Sequence, residues 1–301
     1  LRWEGAVLTT DVHQHLWPEA LIDALRRRSR PPRLVGWTLY LAGEAPYEVR
    51  PKDHDVRHRA SLDEVDRIAV SLSSPLGIEL LPADEANPLL AAWHEGAAAL
   101  PEPFVAWASV SRHEPDLAAL ARQLAGGFVG LQVPATEMLT PRAVAELAPA
   151  LRVAERADRP VLVHPGPVPA SPDQMPDWWP AVVDYVAQLQ AAWWSWMSAG
   201  RALLPQLRVC FVAGGGLAAL QRERFLARGG AGVADDPGVF VDTSSHGRLA
   251  LRALAEVLGP AALVLGSDRP YAPPTDPDIG EAVTAAIRGL NPDRLLGPAG
   301  T

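Results

Sequence analysis

Eight short runs of apolar and β-branched residues recur along the chain, at 6–10, 68–72, 104–110, 128–133, 161–163, 209–212, 239–241 and 263–265. Each run is continuously apolar rather than alternating, the pattern of strands covered on both faces. Between most of them lie Ala-, Leu- and Arg-rich stretches with helical spacing. That spacing predicts helices over 18–28, 114–124, 141–156 and 248–258, several preceded by a Ser, Thr or Asp able to cap them. Alternating strands and helices make parallel β/α units. Eight such units in 301 residues predict an α/β fold of the (β/α)8 TIM-barrel type. An open doubly wound sheet would not need all eight strands.

Two connections are long. About 60 residues separate the first two runs, and within them 33–41 alternates like a small β insertion before a charged stretch through 53–59. The whole chain, 1–301, reads as one barrel domain with this insertion at roughly 31–60. Insertions after barrel strands sit on the C-terminal face, where active sites form. The second long connection carries Trp178, Trp179, Trp193, Trp194 and Trp196, half of the ten tryptophans. Its helical part, 180–199, is apolar on too many sides for a surface helix. It either packs deep or meets a partner, and tryptophan-rich surfaces favour interfaces, so we expect a homodimer.

Composition narrows the function. The chain is 48% hydrophobic and 21% charged, with a formal net charge of −8. That acidic balance argues against nucleic acid or a membrane surface as partner and leaves a small-molecule substrate. The single cysteine, Cys210, lies in an apolar run, which excludes an intrachain disulfide and suggests a reducing, cytoplasmic setting. No apolar stretch reaches spanning length and no signal-peptide pattern opens the chain.

The candidate chemistry sits at strand ends. In Thr10-Asp11-Val12-His13-Gln14-His15, a strand would point Asp11, His13 and His15 to one side. Two imidazoles so placed are a frequent first half of a zinc-type site, although they could be plain polar residues of a strand end. The fifth run ends in Val163-His164-Pro165-Gly166 and the eighth in Gly266-Ser267-Asp268-Arg269. His13, His15, His164 and Asp268 thus finish three strands at one face of a barrel, a convergence that predicts a metal site.

These motifs resemble the amidohydrolase superfamily, in particular the branch related to aminocarboxymuconate-semialdehyde decarboxylase. The resemblance covers nearly the whole chain. Its landmarks are the segments 11–15 and 163–165, Ala213-Gly214-Gly215-Gly216, Val241-Asp242-Thr243-Ser244, Gly266-Ser267-Asp268-Arg269-Pro270 and the closing Asn291-Pro292-Asp293-Arg294-Leu295-Leu296-Gly297. It implies a distorted barrel with an insertion after the first strand. It also implies that His13, His15, His164 and Asp268 bind one divalent ion, usually zinc and sometimes manganese. Binuclear relatives often carry a carboxylated lysine where Gln132 stands; glutamine cannot be carboxylated, which favours one metal over two. One departure matters. The histidine that ends the family's sixth strand and serves as its usual acid/base is replaced here by Ala213. His246, after the seventh strand, is the candidate substitute, and its alternative is an ordinary helix-entry residue.

The expected reaction is hydrolysis, a metal-activated water attacking a carbonyl-type carbon of a small carboxylated substrate, with Asp268 accepting the proton. Decarboxylation of the aminocarboxymuconate-semialdehyde type is the alternative; it needs a placed acid and suffers more from the missing histidine. A degenerate barrel that binds without turnover is a third reading. Arg269 could grip a substrate carboxylate or only pair locally. Trp17, Trp37 and Tyr271 could form an aromatic wall at the barrel mouth or merely pack. His54, His58, His94 and His113 fall in charged or helical stretches and read as solvated. The glycine run at 214–216 lacks the GxGxxG and P-loop patterns, and Gly266-Ser267 lacks the second glycine of a nucleophile elbow, so nucleotide binding and serine catalysis are disfavoured.

Overall fold

The computed structural model describes residues 8–42, 44–62, 64–169, 175–230, 236–273 and 276–297. Eleven strands are seen among them: β1 (Thr10–His15), β2 (Arg33–Val35), β3 (Thr38–Tyr40), β4 (Tyr47–Glu48), β5 (Arg67–Ser71), β6 (Phe104–Ala108), β7 (Gly130–Pro134), β8 (Val161–His164), β9 (Val209–Phe211), β10 (Val239–Asp242) and β11 (Leu263–Val264). Eight of them form one parallel sheet in the order β1-β5-β6-β7-β8-β9-β10-β11. The ends meet. Val12 N–H donates to the Leu265 carbonyl (2.8 Å), Asp268 N–H to the His13 carbonyl (2.9 Å) and His15 N–H to the Arg269 carbonyl (2.7 Å). The chain is therefore a closed (β/α)8 barrel. The strands β2, β3 and β4 make a separate antiparallel sheet in the connection between the first two barrel strands.

The first strand differs from the expected 6–10, of which 6 and 7 lie outside the described residues. It is the motif itself that joins the ladder: Thr10 pairs with Arg67, Asp11 with Ile68, Gln14 with Val70 and His15 with Ser71, with a register shift between Asp11 and Gln14. The motif thus lies within the wall of the barrel rather than after it.

Helices follow local signals. Thr140 caps Pro141–Arg156 by accepting from Ala143 N–H (3.1 Å), with proline at the first helical position, where its missing N–H costs nothing. The helix expected from 114 starts later, at Leu117, because the Asp116 side chain accepts from Ala119 N–H and so caps it there. The tryptophan-rich segment is a helix, Tyr185–Ser195, flanked by wide turns Pro180–Asp184 and Trp196–Gly200. Trp193 and Trp196 are buried and Trp194 stacks on Phe225 at 4.8 Å, whereas Trp178 stays exposed. Among the described residues no helix is long and apolar enough to cross a membrane.

Buried indoles stitch the barrel. Trp107 Nε1 donates to the Val12 carbonyl at 2.9 Å and Trp93 Nε1 to the Trp107 carbonyl at 3.1 Å, so each large apolar body is buried with its polar edge satisfied. Gly130 opens β7 beneath this stack. A Cβ there would lie 2.4 Å from both the Pro160 carbonyl and the Trp107 ring.

Candidate metal centre

His13 and His15 end β1, His164 ends β8, and Asp268 follows the last barrel strand. The structure brings these four together, one ligand atom from each lying within 4.8 Å of all the others. His15 Nε2 is 3.1 Å from both His13 Nε2 and His164 Nε2. Asp268 Oδ1 is 3.1 Å from His15 Nε2 and 3.6 Å from His13 Nε2. The opposite nitrogens are all engaged. His13 Nδ1 meets Asp242 Oδ2 at 2.7 Å, His164 Nδ1 the Pro165 carbonyl at 2.8 Å, and His15 Nδ1 the Ser71 carbonyl at 3.2 Å. Each of those partners accepts, so each Nδ1 carries its ring's proton. Three Nε2 lone pairs and a carboxylate oxygen then point at one spot. Lone pairs 3.1 Å apart repel unless a cation lies between them, and an N3O set fits a divalent ion such as zinc or manganese.

The electrostatics agree for two of the three rings. Burial pushes the pKa of His164 well below the ordinary value and lowers that of His15, which keeps both rings neutral as ligands must be. Burial also opposes charge on His13, but the Asp242 carboxylate beside it outweighs this and raises its pKa. Burial pushes Asp268 upward, and the His15 hydrogen bond with the three neighbouring imidazoles more than offsets that, leaving its pKa lowered.

Supporting residues hold the ligands. Asp242 is wholly buried. Its Oδ1 accepts from Ser244 Oγ (2.7 Å), Ser244 N–H (3.0 Å) and Ala213 N–H (2.7 Å), while Oδ2 orients His13, a carboxylate–histidine pairing that fixes ring tautomer and direction. Asp11 is also buried, and it does not join the ligands. It accepts from His13 N–H (3.0 Å), Ser267 N–H (3.1 Å) and Gln14 Nε2 (2.8 Å), tying β1 to the end of the last strand. Burial raises its pKa despite these donors. The buried Arg59 guanidinium donates to the His15 carbonyl (2.6 Å), the Asp53 carbonyl (2.9 Å) and Gln14 Oε1. It thereby locks the insertion against the ligand strand.

The chain aligns with the Amidohydrolase family model over residues 10–297, nearly its full length. It belongs to the amidohydrolase family. Solved structures share the fold. IDCase from Metarhizium anisopliae superposes with a TM-score of 0.78 at 17% identity, covering 96% of this chain and 97% of that one. The 5-carboxyvanillate decarboxylase of Novosphingobium aromaticivorans, complexed with manganese and 4-hydroxy-3-methoxy-5-nitrobenzoic acid, gives 0.72 at 17% identity, covering 97% of both. The 2,6-dihydroxybenzoate decarboxylase of Rhizobium gives 0.66 at 17% identity, covering 97% and 99%. These structures share the fold of this chain across nearly its whole length.

Within this amidohydrolase the other predicted site residues are placed as follows. Tyr271 stands beside the centre, its ring 5.3 Å from His15 and its hydroxyl 3.4 Å from Ser73 Oγ. Trp17 is buried and packs behind, its Nε1 donating to Ser73 Oγ at 3.0 Å. Trp37 is farther out, with the Arg26 guanidinium 5.1 Å from its ring. The Arg269 backbone joins β1 through a bridge to Gln14. His246 Nε2 donates to the Ala213 carbonyl at 3.0 Å and is not among the four converging ligands. In the glycine run, residues 213–217 make a left-handed turn, with φ between 47° and 61°.

Two readings need correction. His54 is buried rather than solvated, its ring stacked on Trp17 at 4.3 Å. Burial, then the neighbouring Arg59 and His15 charges, push its pKa down to about 3. His94 is half-buried and accepts from Ser109 N–H at 3.1 Å; burial lowers it to about 4.

A second polar cluster lies at the C-terminal ends of β5, β6 and β7. Glu79 Oε1 accepts from Ser74 Oγ (2.7 Å), Ser109 Oγ (3.3 Å) and Gln132 Nε2 (3.3 Å), and Gln132 Nε2 also donates to Ser74 Oγ (2.7 Å). Burial raises the Glu79 pKa. Glu137, buried within electrostatic reach of Glu79, is pushed up to about 8, first by burial and then by that carboxylate.

Proposed function

We propose that this amidohydrolase is a metal-dependent carboxy-lyase that removes a carboxylate from a small hydroxylated aromatic acid. One observation carries the reading. Asp268 has 22% of its side chain exposed while the histidines are all but enclosed, at 1% for His13 and His15 and 6% for His164. A substrate therefore approaches over Asp268, the one ligand able to exchange a proton with it. The decarboxylases on which the fold superposes support the substrate class. So does the aromatic face of Tyr271 beside His15. When bound, the divalent ion (zinc in our reading, manganese as the alternative) supplies the charge that holds the substrate's oxygens and draws electrons from the carbon losing CO2.

The carbon that loses CO2 must gain a proton, and Ala213 has none to give. Asp268 is placed to take the proton of a hydroxyl adjacent to the carboxylate as the substrate binds. It then returns that proton to the ring carbon. The carbon–carboxylate bond breaks, CO2 leaves and a C–H bond forms. The phenolate recovers a proton from solvent on release, and Asp268 ends as it began. A substrate without the hydroxyl brings no proton and stays intact.

Hydrolysis is the second reading, favoured by Ala213 itself, because attack by water needs no carbon acid and the lowered pKa of Asp268 keeps its carboxylate ionised. The single buried Cys210 suits a reducing cytoplasm. The test is CO2 release by zinc- and manganese-loaded protein from 2,6-dihydroxybenzoate and 5-carboxyvanillate, with benzoate as the hydroxyl-free control and His13→Ala as the metal-free control. Turnover of the hydroxylated acids alone is expected. No CO2 from either acid, with hydrolysis of a small carboxylated lactone or amide by the same protein, would replace the first reading by the second.

A further inference from the structure

The helix Tyr185–Ser195 starts on the ligand-bearing face of the barrel, where two side-chain amides fix its first turns. Gln188 Oε1 accepts from Gly166 N–H (2.8 Å) and its Nε2 donates to the Pro167 carbonyl (3.2 Å), just beyond the ligand His164. Gln190 Nε2 donates to the Gly216 carbonyl (3.0 Å) in the turn after β9. A Cβ on Gly216 would meet the Val186 carbonyl at 2.9 Å and Leu189 Cβ at 3.0 Å, so the helix rests directly on that turn. Tyr185, the first residue of the helix, is thereby held across the C-terminal ends of β8 and β9, the face on which His164 and Asp268 stand.

Burial, then the Glu44, Asp268 and Asp184 carboxylates, push the Tyr185 pKa up to about 12. The phenol thus lies near enough to Asp268 to feel its charge, and it keeps its proton at every working pH. Glu44 belongs to the insertion, in the turn between β3 and β4, so Tyr185 stands where the insertion meets the approach to Asp268. The side chain is half-buried, its oxygen is not among the enclosed ones, and among the described residues the hydroxyl has no hydrogen-bond partner. An anionic acid arriving over Asp268 meets like charge from these carboxylates. A phenol O–H beside them offers the acid's oxygens a donor without adding charge of either sign.

We propose that Tyr185 is a substrate-binding residue, its hydroxyl donating a hydrogen bond to an oxygen of the acid that enters over Asp268. This rests on the substrate class proposed above.

The probe is 2,6-dihydroxybenzoate, with KM and kcat for CO2 release measured on zinc-loaded wild type and Tyr185→Phe, and zinc content measured for each. Phenylalanine keeps the ring and loses only the hydroxyl. We expect KM to rise about tenfold with kcat within about twofold, the signature of a lost binding contact, and one zinc per chain in both. The chain has four tyrosines, so in wild type labelled at tyrosine Cζ with 13C the Tyr185 signal can be assigned by substituting the other three in turn. That signal should shift on adding the probe. An unchanged KM, a fall in kcat alone, or a loss of zinc from Tyr185→Phe would overturn the inference while leaving the proposed function standing. A Tyr185 signal unmoved by saturating probe would overturn it without that variant. A zinc-loaded wild type that releases no CO2 from the probe and binds none would overturn the substrate class, and this inference with it.

Discussion

Glu137 offers a stability test with a definite sign. Its carboxyl lies at about 8, up from 4.5, so between those values the folded chain holds a proton that the unfolded chain has lost. Stability from this proton is complete below the unfolded value and disappears as pH rises through the folded one. At about 1.4 kcal/mol per pH unit, the loss relative to acid conditions is about 3 kcal/mol at pH 7 and about 5 kcal/mol at pH 9. Glu137→Gln replaces the neutral carboxyl with a neutral amide of the same shape and removes the dependence. Urea unfolding followed by tryptophan fluorescence, with saturating zinc, measures it between pH 6 and 9. The wild type should weaken steadily across that range, and the variant should run much flatter and be the more stable protein at pH 9. Parallel profiles for the two proteins would refute the reasoning, since the proton would then belong to Glu79 or to neither.

Two further outcomes are expected. Asp242→Asn should keep the fold but weaken zinc binding about 10- to 100-fold, because His13 loses the carboxylate that orients its Nδ1–H; competition with a chromophoric chelator checks this. If the homodimer we propose forms through the tryptophan-rich connection, Trp178→Asp with Val182→Asp should give monomers in sedimentation equilibrium. Both side chains are more than half exposed, so their exchange for charge leaves the monomer's own packing intact.

The barrel was legible because each strand announces itself locally. Continuous apolar runs imply burial on both faces, and the ligands follow from what stands at the ends of those runs. The convergence of His13, His15, His164 and Asp268 needed no long-range information beyond the rule that barrel strand ends share one face. The residues that support them were not legible in this way. Asp242 was visible as part of a motif, yet its partner His13 is 229 residues away, and no spacing rule links them. Pro51-Lys52-Asp53-His54-Asp55 reads as a solvated charged turn, and only the indoles of Trp17 and Trp37, arriving from separate elements, show that its histidine is buried. Glu79 and Glu137 look like ordinary helix-turn carboxylates until the ends of neighbouring strands close over them. Asp11 has the strand parity of a ligand, and the register shift between Asp11 and Gln14 turns it to the seam instead.

The Ala213 replacement is bound up with the turn that follows it. Residues 213–217 are all left-handed, and two of them, Ala213 and Leu217, are not glycine. Such residues cost roughly 1–2 kcal/mol each in that conformation, so the surroundings must hold them there. Gln190 Nε2 donates to the Gly216 carbonyl at 3.0 Å. Ala213 is pinned at both ends, its N–H on Asp242 and its carbonyl on His246. A Cβ on Gly214 would approach the His246 ring to 2.8 Å, so that ring packs flush against the turn. The Nε2 of His246 is thus engaged in holding a strained backbone, which leaves its Nδ1 as the nitrogen open to proton exchange. Asp242 joins the same turn to His13. The strained turn and His13 are therefore stabilised by one carboxylate, and the proton carrier we propose is Asp268. The proposed mechanism accordingly routes the proton through Asp268, the most exposed of the four converging residues, instead of through His246.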